Sequence, residues 1–365
     1  MENRTIENLD LDKDYEGFHH LSKIAWGHIS DSFYKLHNWL FNKNPFNPPH
    51  NNLMFVMKDG DKIIASDGLM ASDLYVNGKI LKAAYSIQTI TDPDYRKQGI
   101  FTTMTNNSVQ NAADEGFDVV LGLGNKYSTP GYKKFGWEVL FEKEMYIRPV
   151  NIDRKLKKVF KAGFIAKTGN AVFHAVDKTI LGAKHPLKKL NATVNAVDVI
   201  PECINEYWDT FKGKYHALIA RDYRYLNFRY NMREDASYKT LLVHSGDKCI
   251  GFAVLRELEI SGGKMSTICE SFTDPDNESY IAALSEAVIR YGYDNDIEYF
   301  VLSTGMPEAF HKTVSSYLFI KSKNPPSNNI MLAKILTDKV TIEELKGYNR
   351  WHLTQGDAET DIYIN

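Results

Sequence analysis

Apolar residues recur at helical intervals through residues 12–40, and this pattern predicts two amphipathic helices at the start of the chain. The first group of apolar positions runs from Phe18 to Trp26, and the second runs from Phe33 to Leu40. Residues 42–52 are rich in asparagine and proline, a composition that predicts a loop.

Four short runs of β-branched and other apolar residues follow, joined in pairs by two turn signals. The first two runs span residues 53–70 around Asp59-Gly60-Asp61, and the last two span residues 73–85 around Asn77-Gly78. Asn-Gly favours a hairpin because both residues tolerate a positive φ. A meander of antiparallel strands is therefore predicted.

Residues 85–104 combine a strand, a tight turn and the start of a helix. Threonine and isoleucine alternate at residues 87–91, as in a strand rich in β-branched residues. Asp92-Pro93-Asp94 predicts a turn, because proline fixes φ and lacks an N–H donor. Arg96-Lys97-Gln98-Gly99 then opens a helix, so unpaired backbone N–H groups are expected around one point. Such a point binds an anion, usually phosphate.

A second segment makes this anion site more specific. Residues 118–124 predict a buried strand, which Asn125 and Tyr132-Lys-Lys-Phe-Gly-Trp137 follow. Arg96-x-x-Gly99-x-Phe101 after a strand resembles the Arg/Gln-x-x-Gly-x-Gly/Ala pyrophosphate loop of the GNAT acyltransferase superfamily. Residues 132–137 resemble the Tyr-x-x-x-Gly-Phe segment of the same superfamily. Phe101 departs from the small residue that ends the superfamily's loop.

This resemblance implies a fold, a co-substrate and a set of site residues. The fold is α+β, with a mixed, mostly antiparallel sheet flanked by helices, and the co-substrate is acyl-CoA without a metal. Tyr132 would protonate the departing thiolate as general acid, and Asn125 would bond to the pantetheine arm or cap the following helix. Backbone amides near residues 89–91 would hold the oxyanion. The implied coenzyme A contacts are Thr89, Ile90, Thr91, Arg96, Lys97, Gln98, Gly99, Ile100, Phe101, Thr102 and Asn125.

The second half of the chain repeats the pattern of the first at an offset of about 180 residues. Ser271-Phe-Thr-Asp-Pro-Asp276, for example, echoes Thr89-Ile-Thr-Asp-Pro-Asp94. Where the first copy has Arg96 to Gly99, the second has Asn277-Glu-Ser-Tyr280, which lacks the glycine and places a carboxylate where phosphates would lie. We therefore expect two tandem GNAT-like domains, of which the C-terminal copy lacks the pyrophosphate loop.

Residues 149–190 differ from both copies, because lysine and arginine far outnumber acidic residues there. A basic amphipathic helix of this kind either lies on a membrane surface or connects two domains, and we prefer the connector. The predicted organisation is an acyl-CoA-binding domain at residues 1–148, a basic helical connector at residues 149–190 and a degenerate, acceptor-binding domain at residues 191–365.

Composition narrows the class of protein. The chain has 365 residues, of which 43% are hydrophobic and 25% charged, and a formal net charge of −2 gives no reason to expect a nucleic acid partner. Its three cysteines lack the spacing of a disulfide or a metal site, and the N-terminus lacks the apolar run of a signal peptide. We expect a cytoplasmic protein that does not insert stably into a membrane. The sequence does not determine whether the protein forms a homo-oligomer.

Residues 220–230 concentrate arginine and tyrosine, which suit a diphosphate and a base or sugar ring, although a simply packed helix has the same composition. Together with residues 351–357 they resemble parts of bacterial double-domain acyltransferases from surface-polysaccharide pathways, which acylate nucleotide-linked deoxy sugars. The implied acceptor contacts are Arg221, Tyr223, Arg224 and Glu270. Candidates for the general base are Glu270, Asp73, the terminal carboxylate of Asn365 and a water chain.

The first hypothesis is an N-acyltransferase that moves an acyl group from acyl-CoA to the amino group of a nucleotide-linked amino sugar. Direct attack on the thioester fits the absence of a Ser/His/Asp or Cys/His signature. The alternatives are an aminoglycoside or polyamine acetyltransferase, a non-catalytic acyl-CoA-binding regulatory module and a peptidoglycan-bridge aminoacyl transferase.

Overall fold

Two series of strands and helices follow each other along the chain in the computed structural model, which describes residues 4–27, 29, 32–160, 163–261, 263–324, 328–346 and 351–357. The first series is β1 (Arg4–Asn8), α1 (Leu11–Trp26), α2 (Phe33–His37), β2 (Met54–Asp59), β3 (Lys62–Val76), β4 (Lys79–Thr91), α3 (Ile100–Asp114), β5 (Val119–Gly124), α4 (Thr129–Lys134), β6 (Glu138–Glu142) and β7 (Glu144–Pro149).

Three helices, α5 (Asp153–Phe160), α6 (Gly163–Lys184) and α7 (Pro186–Lys189), separate this series from the next. The second series is β8 (Thr193–Val197), α8 (Ile204–Phe211), β9 (Ala217–Ile219), α9 (Tyr223–Leu226), β10 (Lys239–Ser245), β11 (Lys248–Ile260), β12 (Gly263–Thr273), α10 (Glu278–Asp294), β13 (Ile297–Thr304), α11 (Glu308–Ser315), β14 (Ile320–Lys321), β15 (Ile330–Ile335), α12 (Ile342–Leu345) and β16 (Trp351–His352).

The two sheets have the same strand order. The first runs β1-β2-β3-β4-β5-β15-β6, with β9 and β16 added beside β3, and the second runs β8-β10-β11-β12-β13-β7-β14. The β4–β5 and β12–β13 pairs are parallel at equivalent places in the two sheets, and most other pairs are antiparallel. The predicted α+β class, with mixed, mostly antiparallel sheets flanked by helices, is confirmed, and the shared order agrees with the predicted repeat.

Each half of the chain completes the sheet of the other half. Strand β7 lies between β13 and β14 in the second sheet, and β15 lies between β5 and β6 in the first. Residues 1–148 and 191–365 therefore each lack a strand of their own sheet. The division of the chain into a domain at residues 1–148, a connector and a domain at residues 191–365 stays a prediction.

The hydrophobic core crosses between the halves at two equivalent helical turns. Trp39 lies in a π-helical turn after α2, and Phe228 lies in the corresponding turn after α9. Their rings stack with centroids 4.9 Å apart, and Trp39 Nε1 donates to the Phe228 carbonyl at 2.7 Å. Because Trp39 is only 1% exposed, this contact packs the two halves as one body.

The basic segment predicted as a connector packs against the second sheet's helices. The Leu187 N–H donates to Glu286 of α10 at 2.9 Å, and Lys184 donates to the Ser316 carbonyl after α11 at 2.8 Å. Residues 161 and 162, and the side chains of residues 158–166, lie outside the described part.

Two predicted boundaries differ from the structure. Residues 62–70 and 73–76, predicted as separate strands, form the single strand β3. Helix α3 begins at Ile100 and not at Arg96, because Arg96 is extended, with φ −66° and ψ 162°, and Gly99 is left-handed. The four residues before Ile100 are therefore a loop.

A buried ion pair fixes the connector to the second sheet and gives a stability test. Arg148 of β7 donates to both carboxylate oxygens of Asp177 on α6 at 2.7 Å, and both side chains are almost fully buried. Replacing Asp177 by alanine leaves the guanidinium unpaired, so we expect a loss of about 3–5 kcal/mol in the free energy of unfolding by urea. Val176→Ala, at the exposed neighbouring position, should cost under about 0.5 kcal/mol. Equal effects of the two changes would contradict the assigned importance of the pair.

Candidate active site

The site is built where two parallel strands stop pairing. Strands β4 and β5 pair from Ala83 opposite Val119 to Ser86 opposite Gly122, and no further. Beyond that point β4 continues to Thr91 against β3, while β5 continues to Gly124 against β15. A wedge therefore opens between the two strands, and Ser86 stands at its apex.

The edge of β4 that faces the wedge presents backbone groups without a strand partner. In a sheet, successive N–H and C=O groups point alternately to the two neighbouring strands, so part of residues 87–91 faces the gap left by β5. Such N–H groups can bind a developing oxyanion. This is the segment to which the resemblance assigns the oxyanion contact, at Thr89, Ile90 and Thr91.

A β-bulge in β4 sets the direction of the side chains beside the wedge. Gln88 has φ 55°, and the pairing of β3 with β4 shifts register between Ser66 and Gly68. The Ser66 hydroxyl donates to the Gln88 carbonyl at 2.8 Å and holds the bulge. The extra residue brings Thr89 near Ser86, with hydroxyl oxygens 3.5 Å apart, although strict alternation would point them to opposite faces.

The anion loop lies directly after β4. Lys97 and Gly99 have φ values of 63° and 77°, so the loop turns its N–H groups to one side before α3 begins. A Cβ at Gly99 would meet nothing within 4 Å, which leaves room for a ligand to approach the backbone. Thr103 donates to the Gly99 carbonyl at 3.0 Å, so the N–H groups of the residues before it belong to the unpaired first turn.

Two cations that the sequence analysis missed lie beside this loop. Arg4 of β1 donates to Gln98 Oε1 at 2.7 Å, and both Arg4 and Lys62 lie over the ring of Tyr95. Burial alone would raise the pKa of Asp92, but the Lys62 ammonium at 2.8 Å holds it below its usual value. The carboxylate before the loop is thus neutralised. Only the pairing of β1 with β2 places Arg4 here, so the local sequence carried no signal for it.

Tyr132 on α4 reaches the apex of the wedge. Its ring packs edge-on against Phe101 and Trp137, with centroids 5.4 and 4.8 Å away, and it is 5% exposed. Its hydroxyl lies 3.4 Å from the Ser86 hydroxyl. A Cβ at Gly131 would come within 3.0 Å of Phe101, so glycine there makes room for the large residue that departs from the superfamily's loop.

Asn125 holds the turn that leads from β5 to α4. Its side-chain oxygen accepts from the N–H groups of Tyr127 and Ser128 at 2.8 and 3.0 Å, and its amide donates to Asn328 at 2.9 Å. Helix α4 begins at Thr129 with Ser128 at its N-cap, so these bonds lie in the turn before the helix. A contact of Asn125 with the pantetheine arm stays a prediction.

The residues predicted to bind the acceptor divide into a buried pair and a surface pair. Arg221 and Glu270 are fully buried and contact each other at 3.2 Å, and Arg221 also pairs with Asp357. Burial raises the pKa of Glu270, which Arg221 opposes. These bonds give Arg221 and Glu270 a structural part, and their acceptor contacts stay predictions.

The surface pair lies away from the wedge. Arg224 is exposed, donates to the Pro45 carbonyl at 2.7 Å and lies over Phe46, while Tyr223 beside it is half-buried. Asp73 lies 3.8 Å from Arg224 and opposite Lys82, near the start of β4. Four residues of strand, about 13 Å, separate that position from the apex. Asn365, a further candidate base, lies outside the described residues.

A cavity of about 620 Å³ lies where the chain crosses between the two sheets. It is lined by Glu142, Lys143, Glu144, Met145, Lys321, Ser322, Lys323 and Asn329. The neighbouring Asn328 contacts Asn125, so the cavity borders the end of β5. Burial lowers the pKa of Lys143 to about 8.

The second sheet offers a different loop at the equivalent place. Asn277 caps α10 by accepting from the N–H groups of Ser279 and Tyr280 at 3.1 and 3.2 Å, and Glu278 occupies the first turn. The N–H groups that would bind a phosphate are thus capped by a side chain, and a carboxylate stands beside them.

Within the described ranges, no three histidine, cysteine or carboxylate side chains come together as metal ligands would. No helix in the same part of the chain combines the length and apolar character needed to cross a bilayer.

Comparison with known proteins gives one family match and several similar structures. Residues 6–140 match the model of the Acetyltransferase (GNAT) domain, and no curated protein matches the chain. A GCN5-related N-acetyltransferase from Anabaena variabilis is 10% identical with a TM-score of 0.61, over 92% of this chain and 73% of that one. A GCN5-related N-acetyltransferase from Kribbella flavida is 12% identical with a TM-score of 0.61, over 91% and 72%.

The Saccharomyces cerevisiae N-myristoyltransferase with bound myristoyl-CoA is 10% identical with a TM-score of 0.59, over 91% of this chain and 82% of that one. At these identities the structures establish the fold, which extends over both halves. The family match and the fold together support an acyl-CoA-dependent N-acyltransferase with acyl-CoA as co-substrate.

Gly99→Glu tests the anion loop. A carboxylate among the loop N–H groups would repel the diphosphate, so we expect the Kd of coenzyme A, measured by calorimetry, to rise at least about 100-fold. Gly116→Glu is the matched control, because Gly116 also has a positive φ, 74°, and open space, but lies beyond the other end of α3. Both changes carry similar backbone strain, and only the first should weaken binding. An unchanged Kd for Gly99→Glu would mean that the diphosphate binds elsewhere.

Proposed function

We propose, from the match of residues 6–140 to the GNAT acetyltransferase domain, that this protein transfers an acyl group from acyl-CoA to the amino group of a nucleotide-linked amino sugar. The amine attacks the thioester carbonyl directly, and no covalent enzyme intermediate forms. The observation that carries the proposal is the wedge whose apex is Ser86, with the anion loop directly after β4. The lysine-lined cavity at the crossovers between the sheets supports it.

The loop supplies what a diphosphate requires. Unpaired N–H groups at the start of α3 act together with Arg4, Lys62, Arg96 and Lys97, of which the last two are exposed. With the diphosphate on this loop, the pantetheine arm would run along the open edge of β4 towards the apex. The thioester carbonyl would then accept hydrogen bonds from that edge as its oxygen becomes negative.

The cavity between the crossovers supports an anionic acceptor. Lys143, Lys321 and Lys323 outnumber the two glutamates that line it, and Lys321 lies 2.6 Å from Glu144. Its size is within the range of small-molecule sites. A polycationic aminoglycoside or polyamine would need the opposite excess of charge. A nucleotide-linked sugar could place its phosphates on the lysines and its amino group at the wedge.

Tyr132→Phe tests the general acid. The substitution keeps the packing of the ring but removes the proton that the leaving thiolate needs, so we expect turnover to fall about 100-fold or more. The Kd of coenzyme A should stay within about twofold. Tyr127→Phe is the control, because Tyr127 is 80% exposed and lies on the same segment. A large loss of coenzyme affinity in Tyr132→Phe, with turnover per bound coenzyme preserved, would contradict the acid role.

A panel of amines tests the acceptor class. We expect thiol release from acetyl-CoA to be faster with nucleotide-linked amino sugars than with the same sugars lacking the nucleotide, with polyamines or with aminoglycosides. Lys323→Ala should then raise the KM for the nucleotide sugar about tenfold, while Lys178→Ala on the exposed face of α6 should not. A preference for polyamines or aminoglycosides would contradict the proposed acceptor. Binding of acetyl-CoA without thiol release with any amine would favour a regulatory module.

A further inference from the structure

Three hydroxyl groups connect the apex of the wedge to a buried carboxyl group. The Tyr132 hydroxyl lies 3.4 Å from the Ser86 hydroxyl, which lies 3.5 Å from the Thr89 hydroxyl. Thr89 in turn donates to Oδ1 of Asp67 at 2.5 Å. This series of contacts begins at Tyr132, the predicted general acid, and ends at Asp67 inside the sheet.

The bulge at Gln88 is what makes this chain continuous. Its extra residue places both Gln88 and Thr89 opposite Asp67, between the pairs Ser66–Ile90 and Gly68–Ile87. An undistorted strand would turn Thr89 and Ser86 to opposite faces of the sheet. The left-handed conformation of Gln88, a glutamine, carries a cost that a regular strand would avoid. Such departures are frequent beside functional sites.

Asp67 is enclosed on every side. It is 0% exposed, and Phe55 of β2 is its cross-strand neighbour. Burial raises the pKa of Asp67 to about 6, and the hydroxyl groups of Ser108 on α3 and Thr89 on β4 partly oppose this. Hydroxyl groups and an apolar ring therefore face the carboxyl group from the neighbouring elements. A carboxyl group in this setting exchanges protons near neutral pH.

We propose that Asp67, acting through Thr89, Ser86 and Tyr132, is the proton store of the transfer reaction: it accepts the proton of the attacking amine and returns it to the departing sulfur. This inference rests on the proposed acyl transfer and names the base that the sequence left open. Asp67 does not touch the substrate, because it is fully buried and acts through the three hydroxyl groups, of which that of Tyr132 faces the wedge.

The hydrogen bonds that link these hydroxyl groups to Asp67 can run in two directions. With Asp67 ionised, Thr89 donates to Asp67, Ser86 donates to Thr89 and Tyr132 donates to Ser86, so a lone pair of the phenol oxygen faces the wedge. When the amine nitrogen bonds to the thioester carbon, its excess proton passes to Tyr132. Each hydroxyl passes its own proton inward, and Asp67 becomes neutral.

The second half of the reaction reverses the chain. With Asp67 neutral, every hydroxyl donates outward, and the Tyr132 O–H faces the wedge. The C–S bond breaks, the sulfur takes the phenolic proton, and the same three transfers restore the Asp67 carboxylate. One proton enters and one leaves, so amine and thioester yield amide and thiol without another reactant.

The test is the pH profile of a single turnover with acetyl-CoA and methoxyamine, a nucleophile that is already uncharged well below pH 6. Because Asp67 must be ionised to accept a proton, the rate should rise through about pH 6. Asp67→Asn, Thr89→Val and Ser86→Ala should each lower the rate about 100-fold and abolish this rise. Thr89→Ser should restore both the rate and the profile. The Kd of coenzyme A should stay within about twofold in all of them.

Ser108→Ala is the matched control, because it removes a hydroxyl that faces Asp67 but does not belong to the chain. An effect as large as that of Thr89→Val would mean that local packing, and not proton transfer, explains the losses. If Asp67→Asn keeps the normal rate and the same rise of the rate through about pH 6, the proposal is also overturned.

A second measurement does not depend on turnover. Infrared titration of the Asp67 carboxyl stretch, identified by its loss in Asp67→Asn, should give a pKa near 6 in the unsubstituted protein. Thr89→Val removes the bond that stabilises the carboxylate and should raise this pKa by about one to two units. An unaltered titration would show that Thr89 is not coupled to Asp67 and would overturn the relay. If the unsubstituted protein binds acetyl-CoA but releases no thiol, the proposed acyl transfer fails, and the titration still decides the coupling of Asp67 to Thr89.

Discussion

The separation of β4 from β5 after Ser86 is the constraint on which the site depends. Two parallel strands that stayed paired would satisfy each other's backbone groups and leave nothing for a thioester. Here β5 continues against β15, and the bulge at Gln88 interrupts the regular pairing of β4 with β3. The same distortion leaves one edge of β4 open and aligns three hydroxyl groups beside it. A binding edge and a proton path thus follow from one irregularity of the sheet.

The exchange of β7 and β15 explains why the two halves act as one unit although the repeats are unequal. Because β15 forms the second neighbour of β5, the wall of the wedge requires residues from the end of the chain. Residues of the two crossovers created by the exchange line the cavity between the two sheets. The second sheet keeps the strand order but has a capped helix and a glutamate where the first has Gly99. One half therefore carries the open anion loop, and both halves contribute strands to the sheet beside it.

Local signals predicted the parts of this structure that depend on local chemistry. Asn77-Gly78, Asp92-Pro93-Asp94 and Gly99 fix turns through their own backbone preferences, and each stands where the sequence placed it. The strand exchange was not predictable, since periodicity shows that a strand exists but not which sheet it joins. The bulge at Gln88 gave no signal either, because glutamine has no preference for the left-handed region.

Charged and polar residues were the least predictable part of the site. Arg221 was expected at a substrate because arginine suits a diphosphate, and Glu270 because its carboxylate could act as a base. The structure buries both, with Arg221 paired to Glu270 and to Asp357. Nothing in the composition of β3 distinguishes Asp67 from its neighbours. Its proposed role follows from its burial and from its contact with Thr89 on β4, and neither can be read from a single sequence.

The most direct test of this account is a crystal structure of the protein with coenzyme A bound. The account predicts one coenzyme molecule per chain, with its diphosphate on the N–H groups of residues 97–102 and its sulfur within reach of the Tyr132 hydroxyl at the apex beside Ser86. A diphosphate at the start of α10, or a sulfur remote from the wedge between β4 and β5, would contradict it.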